Sequence, residues 1–410
     1  MVAFTAAQIP NIAGRVYPPQ LAGSRYPSGI PIYSEERLEE VIRGMNVDLA
    51  VFSYSDVSYL DVMDRAVRAM AAGADFMLLG PRTTMLECGR PVVAVTASRT
   101  GAGKSTVTRY VMGLLKEAGV RAVVVRHPMP YGVLERQVVQ RFETKDDLDR
   151  FDCTIEEREE YEPHLEAGSI VYAGVDYGMV LAQASDEADV LVWDGGNNDY
   201  PFVRPSLWIT VVDGHRPVQE QIYYPSMVNL ILADIIIVNK SDTAPPSNIE
   251  AIRDTVRRYN SHAEIMLAGS KIYAEGLERL AGRRVVVVED GPSVTHGGLS
   301  WGVAYTAAMR SGAEVADPRP YAVGSIAEAY RIYPHIGRVV PALGYGGEQV
   351  KDLGETLRRA DCDAIVSGTP TDLTRLIDLD KPVYRVRYEL DDLGQPTVRQ
   401  ALVRKGIIPR

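Results

Sequence analysis

Cysteine is nearly absent: Cys88, Cys153 and Cys362 are the only three in 410 residues, far apart and in no C-x-x-C pair. That excludes a disulfide framework and a cysteine-based zinc site. Long hydrophobic runs are also lacking. The longest apolar stretches are strand-sized, well short of the ~18 residues that a membrane span requires. No basic region followed by an apolar core and a small-residue cleavage site opens the chain, so the expected location is cytoplasmic. Positive charge is in deficit. With 44 Lys and Arg against 54 Asp and Glu the net charge is −10, which makes nucleic acid a poor partner. Phenylalanine (6) is scarce beside tyrosine (22) and proline (25), and proline-stiffened loops suit a thermophile.

What is present is a globular composition, 46% hydrophobic and 24% charged, in a chain too long for one ordinary core. Two or three domains are expected. Strand-like runs alternate with helical patterns, which predicts an α/β fold around mostly parallel sheets. Residues 1–88 read as a Rossmann-like doubly wound domain, with a helix after Ser34 and another closed by Gly73. Arg37 stands where a capping box would need Glu or Gln. Residues 89–310 read as a P-loop NTPase domain with strands PVVAVTA, RAVVVRH, VLVWDGG, LWITVVDG, ADIIIVNKS, EIMLAG and RRVVVVEDG. Residues 311–410 form a smaller α/β region.

The stretch VVAVTASRTGAGKSTVTRY joins an apolar strand to a Gly-rich turn and an amphipathic helix. This is the context of a phosphate-binding loop, where backbone N–H groups and a helix N-terminus face phosphate oxygens. Gly101, Ala102 and Gly103 allow close backbone approach, Lys104 brings charge to the phosphates, and Ser105 offers its hydroxyl to Mg²⁺. Thr100 and Thr106 flank the set, and Ser98 replaces the motif's leading glycine. Arg99, five residues before Lys104, is placed either to touch phosphate, in its own site or across a homodimer, or to be an exposed loop arginine. At the end of VLVWDGGNND, Asp194 is positioned to hold Mg²⁺ directly or through water, or else to cap a helix. The N-K-x-D pattern of Asn239, Lys240 and Asp242 points to a purine and, on its chemistry alone, leans toward GTP.

Arginines and histidines recur at strand ends beside Pro or Gly, and ligands of parallel sheets gather at those carboxyl ends. Arg126, His127, Arg216, His215 and His296 follow apolar runs, with Asp213 and Asp290 among them; Arg141, Arg204 and Arg319 extend the set. Together they predict a rim for a small phosphorylated substrate, although each alone also reads as a salt-bridge partner or cap. The acidic stretch from Glu156 to Glu162 reads most simply as a solvated helix face, with a second-metal or base role as the alternative.

RHPMPYG, TIEEREEYEPH, YAGVDY, WDGGNND, VVDGHRP, NKSDTA, VEDGPSVTHGG, DPRPYAVGSI and ADCDAIVSGTP together resemble the cyclic 2,3-diphosphoglycerate synthetase family, over nearly the whole chain. Family members begin with a strand and a Gly-Ala-Ala-Gly-Arg-Asp loop before the segment resembling VAFTAAQIP, and this chain starts after it. The resemblance implies that ATP and Mg²⁺ drive closure of 2,3-bisphosphoglycerate into its cyclic phosphoanhydride. Lys104, Arg126, His127 and Arg216 would then be the residues at the reacting phosphates. A regulatory GTPase that reads guanine through Asn239, Lys240 and Asp242 is the alternative.

Overall fold

The computed structural model describes residues 1–8, 12–129, 131–344, 346–394 and 396–409. The N-terminal segment supplies strands β1 (Phe4–Ala6), β2 (Ile30–Ser34), β3 (Leu49–Phe52) and β4 (Asp75–Leu78), with helices α1 (Leu38–Met45) and α2 (Tyr59–Ala72). These strands are divided between two small sheets. β2 pairs with β1 and with Val16–Tyr17, while β3 and β4 form a separate parallel pair. Leu49 and Val51 on β3 and Met77 and Leu78 on β4 are exposed, so this pair lacks the two covered faces of a doubly wound sheet. The first helix starts late. A 3₁₀ turn occupies Glu35–Arg37 and Ser34 makes no capping hydrogen bond, consistent with Arg37 at the position where an acid would complete a box. Gly73 ends α2 in the left-handed conformation, φ 108°.

The central sheet has nine strands. In chain order they are β5 (Val92–Ala97), β6 (Ala122–Arg126), β7 (Gln140–Phe142), β8 (Val171–Ala173), β9 (Val190–Asp194), β10 (Leu207–Asp213), β11 (Ile235–Asn239), β12 (Glu264–Tyr273) and, much later, β18 (Arg387–Asp392). Across the sheet the order is β18-β12-β11-β10-β5-β9-β6-β8-β7, parallel except at the two edges. Every residue of β5 is buried, as a strand covered on both faces must be. Val93 and Val95 pack on the side of helix α3 (Lys104–Glu117), and Val92 and Ala94 pack with Trp193 and Phe202 on the other.

RRVVVVEDG does form a strand, β13 (Arg284–Asp290), but outside the P-loop sheet. It is the centre of a smaller sheet with β14 (Glu314–Val315), β15 (Val340–Ala342), β16 (Ala364–Ser367) and, beyond β16, β17 (Val383–Arg385). The chain then returns. β18 pairs antiparallel with the outer half of β12, Arg387–Asp392 against Ala268–Tyr273, and covers an edge that would otherwise be open. The last helix (Val398–Arg404) follows it into the central core through Val398, Ala401 and Leu402. Helix α4 (Ile155–Glu166) lies between the two sheets: Ile155 packs in the smaller core, Tyr161 and Leu165 in the central one.

Candidate functional site

The loop between β5 and α3 shows why serine is accepted in place of the leading glycine. Positive φ occurs at Gly101 (78°) and Gly103 (101°) and not at Ser98. A Cβ on Gly103 would lie 2.1 Å from Asn239 Nδ2, so glycine is required there for both conformation and space. Ser98 sits in ordinary backbone geometry. Its N–H donates to the Val211 carbonyl at 2.8 Å and its own carbonyl accepts from the Ser226 hydroxyl.

Asp194, at the end of β9, is the electrostatic centre. Lys104 Nζ stands 2.7 Å from its Oδ1; Arg126 Nη1 and His164 Nε2 stand 2.6 and 3.0 Å from Oδ2. All four residues are buried. Burial alone would raise the carboxyl's pKa, but Lys104 and Arg126 outweigh it and hold Asp194 ionised, well below the usual range. Burial pushes the His164 pKa down against the pull of Asp194, so this imidazole is neutral near pH 7. Arg126 also pairs with Glu160 from α4. Two cations thus face two carboxylates, leaving no surplus positive charge.

The flanking residues converge on the same loop. His127 Nε2 is 2.6 Å from Asp199 Oδ2; burial opposes its charge, and the carboxylate prevails and raises its pKa. Thr100 Oγ1 lies 2.8 Å from both Asp56 Oδ2 and Asn197 Oδ1. Asn239 Nδ2 and Lys240 Nζ donate to the carbonyls of Ala102 and Gly101, each at 2.9 Å. Lys240 also pairs with Asp213, while Asp242 is exposed. Arg216 is a clamp: it pairs with Asp213 at 2.9 Å and donates to the Thr100 carbonyl at 2.8 Å and the Gly297 carbonyl at 2.9 Å. Arg99 is buried, ion-paired with Asp56 at 2.8 Å and stacked 3.4 Å from the Tyr223 ring centroid. Its remaining side-chain hydrogen bonds go to Gln219 and the His296 carbonyl, so among the described residues none goes from the guanidinium to the loop's backbone. His215 bonds Thr243 at 2.9 Å and His296 is exposed.

The other expected arginines do not join them. Arg141 pairs with Glu187 and Glu143, Arg204 with Glu87, and Arg319 with Asp317, each on the surface. Every arginine of the expected rim is already neutralised by a carboxylate of this chain.

The acidic stretch overturns its reading as a solvated face. Glu156, Glu157, Glu159 and Glu162 are buried, Glu162 completely. Their partners come from remote segments. Glu156 accepts from the Gly344 N–H at 2.8 Å, Glu159 from the Thr369 hydroxyl at 2.5 Å, and Glu162 pairs with Lys145 at 2.6 Å. Burial and the neighbouring Asp290 carboxyl raise Glu159 well above the ordinary range. Burial lifts Glu156, Glu157 and Glu289 to about 7 each. Asp290 also holds Ser293, which stands beside Gly101 of the loop together with Leu299. The smaller sheet therefore sets protonatable carboxyls, not cations, next to the phosphate loop. His164 and the burial of Glu159 escaped the sequence reading because a helix acidic on all sides shows no dry face; no periodicity marks its burial.

No family model matches the chain. It is 55% identical over 403 residues to the arginine synthetase ArcE of Thermococcus kodakarensis, covering 98% of this chain and 90% of that protein. The cyclic 2,3-diphosphoglycerate synthetase of Thermococcus sibiricus is 27% identical over 118 residues, 29% of this chain and 26% of that protein. Among solved structures, LpxK from Aquifex aeolicus in complex with ATP has a TM-score of 0.46 at 11% identity, over 78% of this chain and 90% of that one. Cobyrinic acid a,c-diamide synthase from Mycobacterium smegmatis has a TM-score of 0.20 at 17% identity, over 44% and 72%. The full-length similarity decides the matter: the chain belongs to the family of the Thermococcus arginine synthetase ArcE.

Proposed function

We propose that the protein is an ATP-dependent synthetase that forms a carbon–nitrogen bond of arginine. The observation that carries this reading is the charge beside the phosphate loop. Asp290 holds Ser293 beside Gly101 of the loop, Glu156 and Glu159 are buried on α4, and each arginine of the expected rim is spent on a carboxylate. Such a site suits an amine or guanidinium better than a second polyanion next to ATP.

The chemistry follows from the product. Converting a ureido group into a guanidinium replaces its C=O by C–N, so the oxygen must first become a leaving group. The γ-phosphoryl of ATP passes to that oxygen, ADP departs, ammonia attacks the carbon, and phosphate leaves. Lys104, released from Asp194, follows the phosphates. An ammonium ion must lose a proton to attack, and carboxyls with raised pKa values, such as Glu159 and Asp290, are suited to take it. The oxygen donors of Ser105 and Asp194 fit a hard cation; Ser105 makes no side-chain hydrogen bond among the described residues. Mg²⁺ held there would neutralise phosphate charge.

Closure of 2,3-bisphosphoglycerate is the second reading, favoured by the 118-residue similarity to its synthetase. Both begin with phosphoryl transfer to an oxygen, and one experiment separates them. Purified protein is incubated with Mg-ATP or Mg-GTP and either citrulline plus ammonium or 2,3-bisphosphoglycerate. Arginine and ADP formed together, with ATP preferred, are expected. A cyclic pyrophosphate signal in phosphorus NMR without arginine would establish the second reading, and GTP turnover indifferent to either acceptor would remove both.

A further inference from the structure

A cleft of about 380 Å³ opens between α3, the end of α4, and strands β17 and β18. That is ample for an amino acid with a long side chain. Its position links it to the centre already described. Thr106, on its wall, is two residues beyond Lys104 in the first turn of α3. Thr369, on another wall, is the residue whose hydroxyl donates to Glu159. The cleft therefore reaches inward between the phosphate loop's helix and the carboxyl cluster.

Its charges are unevenly satisfied. Glu166 is held by Arg385 at 3.0 Å and Arg387 at 2.9 Å, and Glu117 is paired with Arg399. Among the described residues, two charged side chains lining the cleft have no ion-pair partner: Arg109 on α3 and Glu389 on β18. Arg109 is half-buried, and its hydrogen bonds are long, 3.4 Å to Thr106 Oγ1 and 3.5 Å to the Tyr388 carbonyl. One free guanidinium and one free carboxylate on facing elements match a ligand that carries both signs. A guanidinium fork suits a carboxylate, and Tyr110, Tyr388 and Leu390 offer apolar surface for a chain of methylenes.

We infer that this cleft is the amino-acid site, binding a zwitterion of arginine's size with its carboxylate on Arg109 and a cationic group on Glu389. The inference rests on the arginine-forming reading and adds where that molecule sits. Isothermal titration of the full chain with arginine and, separately, with Mg-ADP tests it in the wild type, Arg109→Gln and Glu389→Gln. Each substitution is expected to weaken arginine by about 10-fold or more, the loss of one charge-assisted contact, with Mg-ADP affinity within about twofold. Glu389 is exposed, so its amide variant retains the fold and carries the test should the Arg109 variant not. Unchanged arginine affinity in both variants overturns the site and leaves the synthetase reading standing. Equal or greater loss of Mg-ADP assigns the cleft to the nucleoside instead and also overturns it. A wild type that binds no arginine removes the synthetase reading and this site with it.

Discussion

Asp194 was legible as a residue because strand-end acids after a phosphate loop obey local rules. Its company was not. Lys104 follows from the motif, but Arg126 and His164 reach it from 68 and 30 residues away, and only the packed sheet brings them there. The structure makes this carboxylate a structural keystone. In Asp194→Asn the side chain keeps its size while Lys104 and Arg126 lose their buried counter-charge. Breaking a buried pair from one side costs about 3–5 kcal/mol, and we expect that drop in unfolding free energy by urea titration, together with loss of nucleotide turnover. Stability within about 1 kcal/mol of wild type would mean that the pair is hydrated and weak. The serine at position 98 has the opposite character. The loop's left-handed positions are Gly101 and Gly103, so the departure from the motif never mattered to the backbone.

Among the elements, α4 differs most from its sequence reading. Its N-terminus is closed by a capping box of Thr154 with Glu157. Its burial is not visible in the sequence, because the partners of its acids, Gly344, Thr369 and Lys145, lie in other segments. The cost of burying those acids should appear in the pH dependence of stability. The Glu156 carboxyl ionises near 4.5 ordinarily and near 7 here, raised chiefly by burial. Below pH 4.5 it is protonated in both states. Between about 4.5 and 7 the unfolded chain has ionised while the folded one still holds the proton, so the folded state loses stability as pH rises through that window, and the loss levels off above it. Glu157 and Glu289 act in the same direction. Glu156→Gln should therefore shallow the fall in urea midpoint between pH 5 and pH 8, relative to wild type. An unchanged slope would show that Glu156 is ionised in the folded protein.

In the molecule as a whole, the two sheets are tied together twice. β18 closes the edge of β12 and the last helix enters the central core, while Ile155 of α4 packs in the smaller one. Such interlocking predicts one cooperative transition. Trp193 and Trp208 report the central sheet, and Trp301 follows β13 in the smaller unit. Variants retaining Trp301 alone, or Trp193 and Trp208 alone, should unfold at the same urea concentration; two separate midpoints would show independent units. By itself the sequence determined the α/β class, the phosphate loop with Lys104 and Ser105, and the acid at the end of β9. Each of these is set by short-range rules: strand burial, turn conformation and helix-terminus chemistry. Tertiary structure alone decided that β13 leaves the P-loop sheet and β18 rejoins it. It alone decided that the expected arginine rim is neutralised and that an acidic helix is buried between the two sheets. Strand partnership and the pairing of charges depend on groups distant in the chain, and only the folded chain brings those groups within contact.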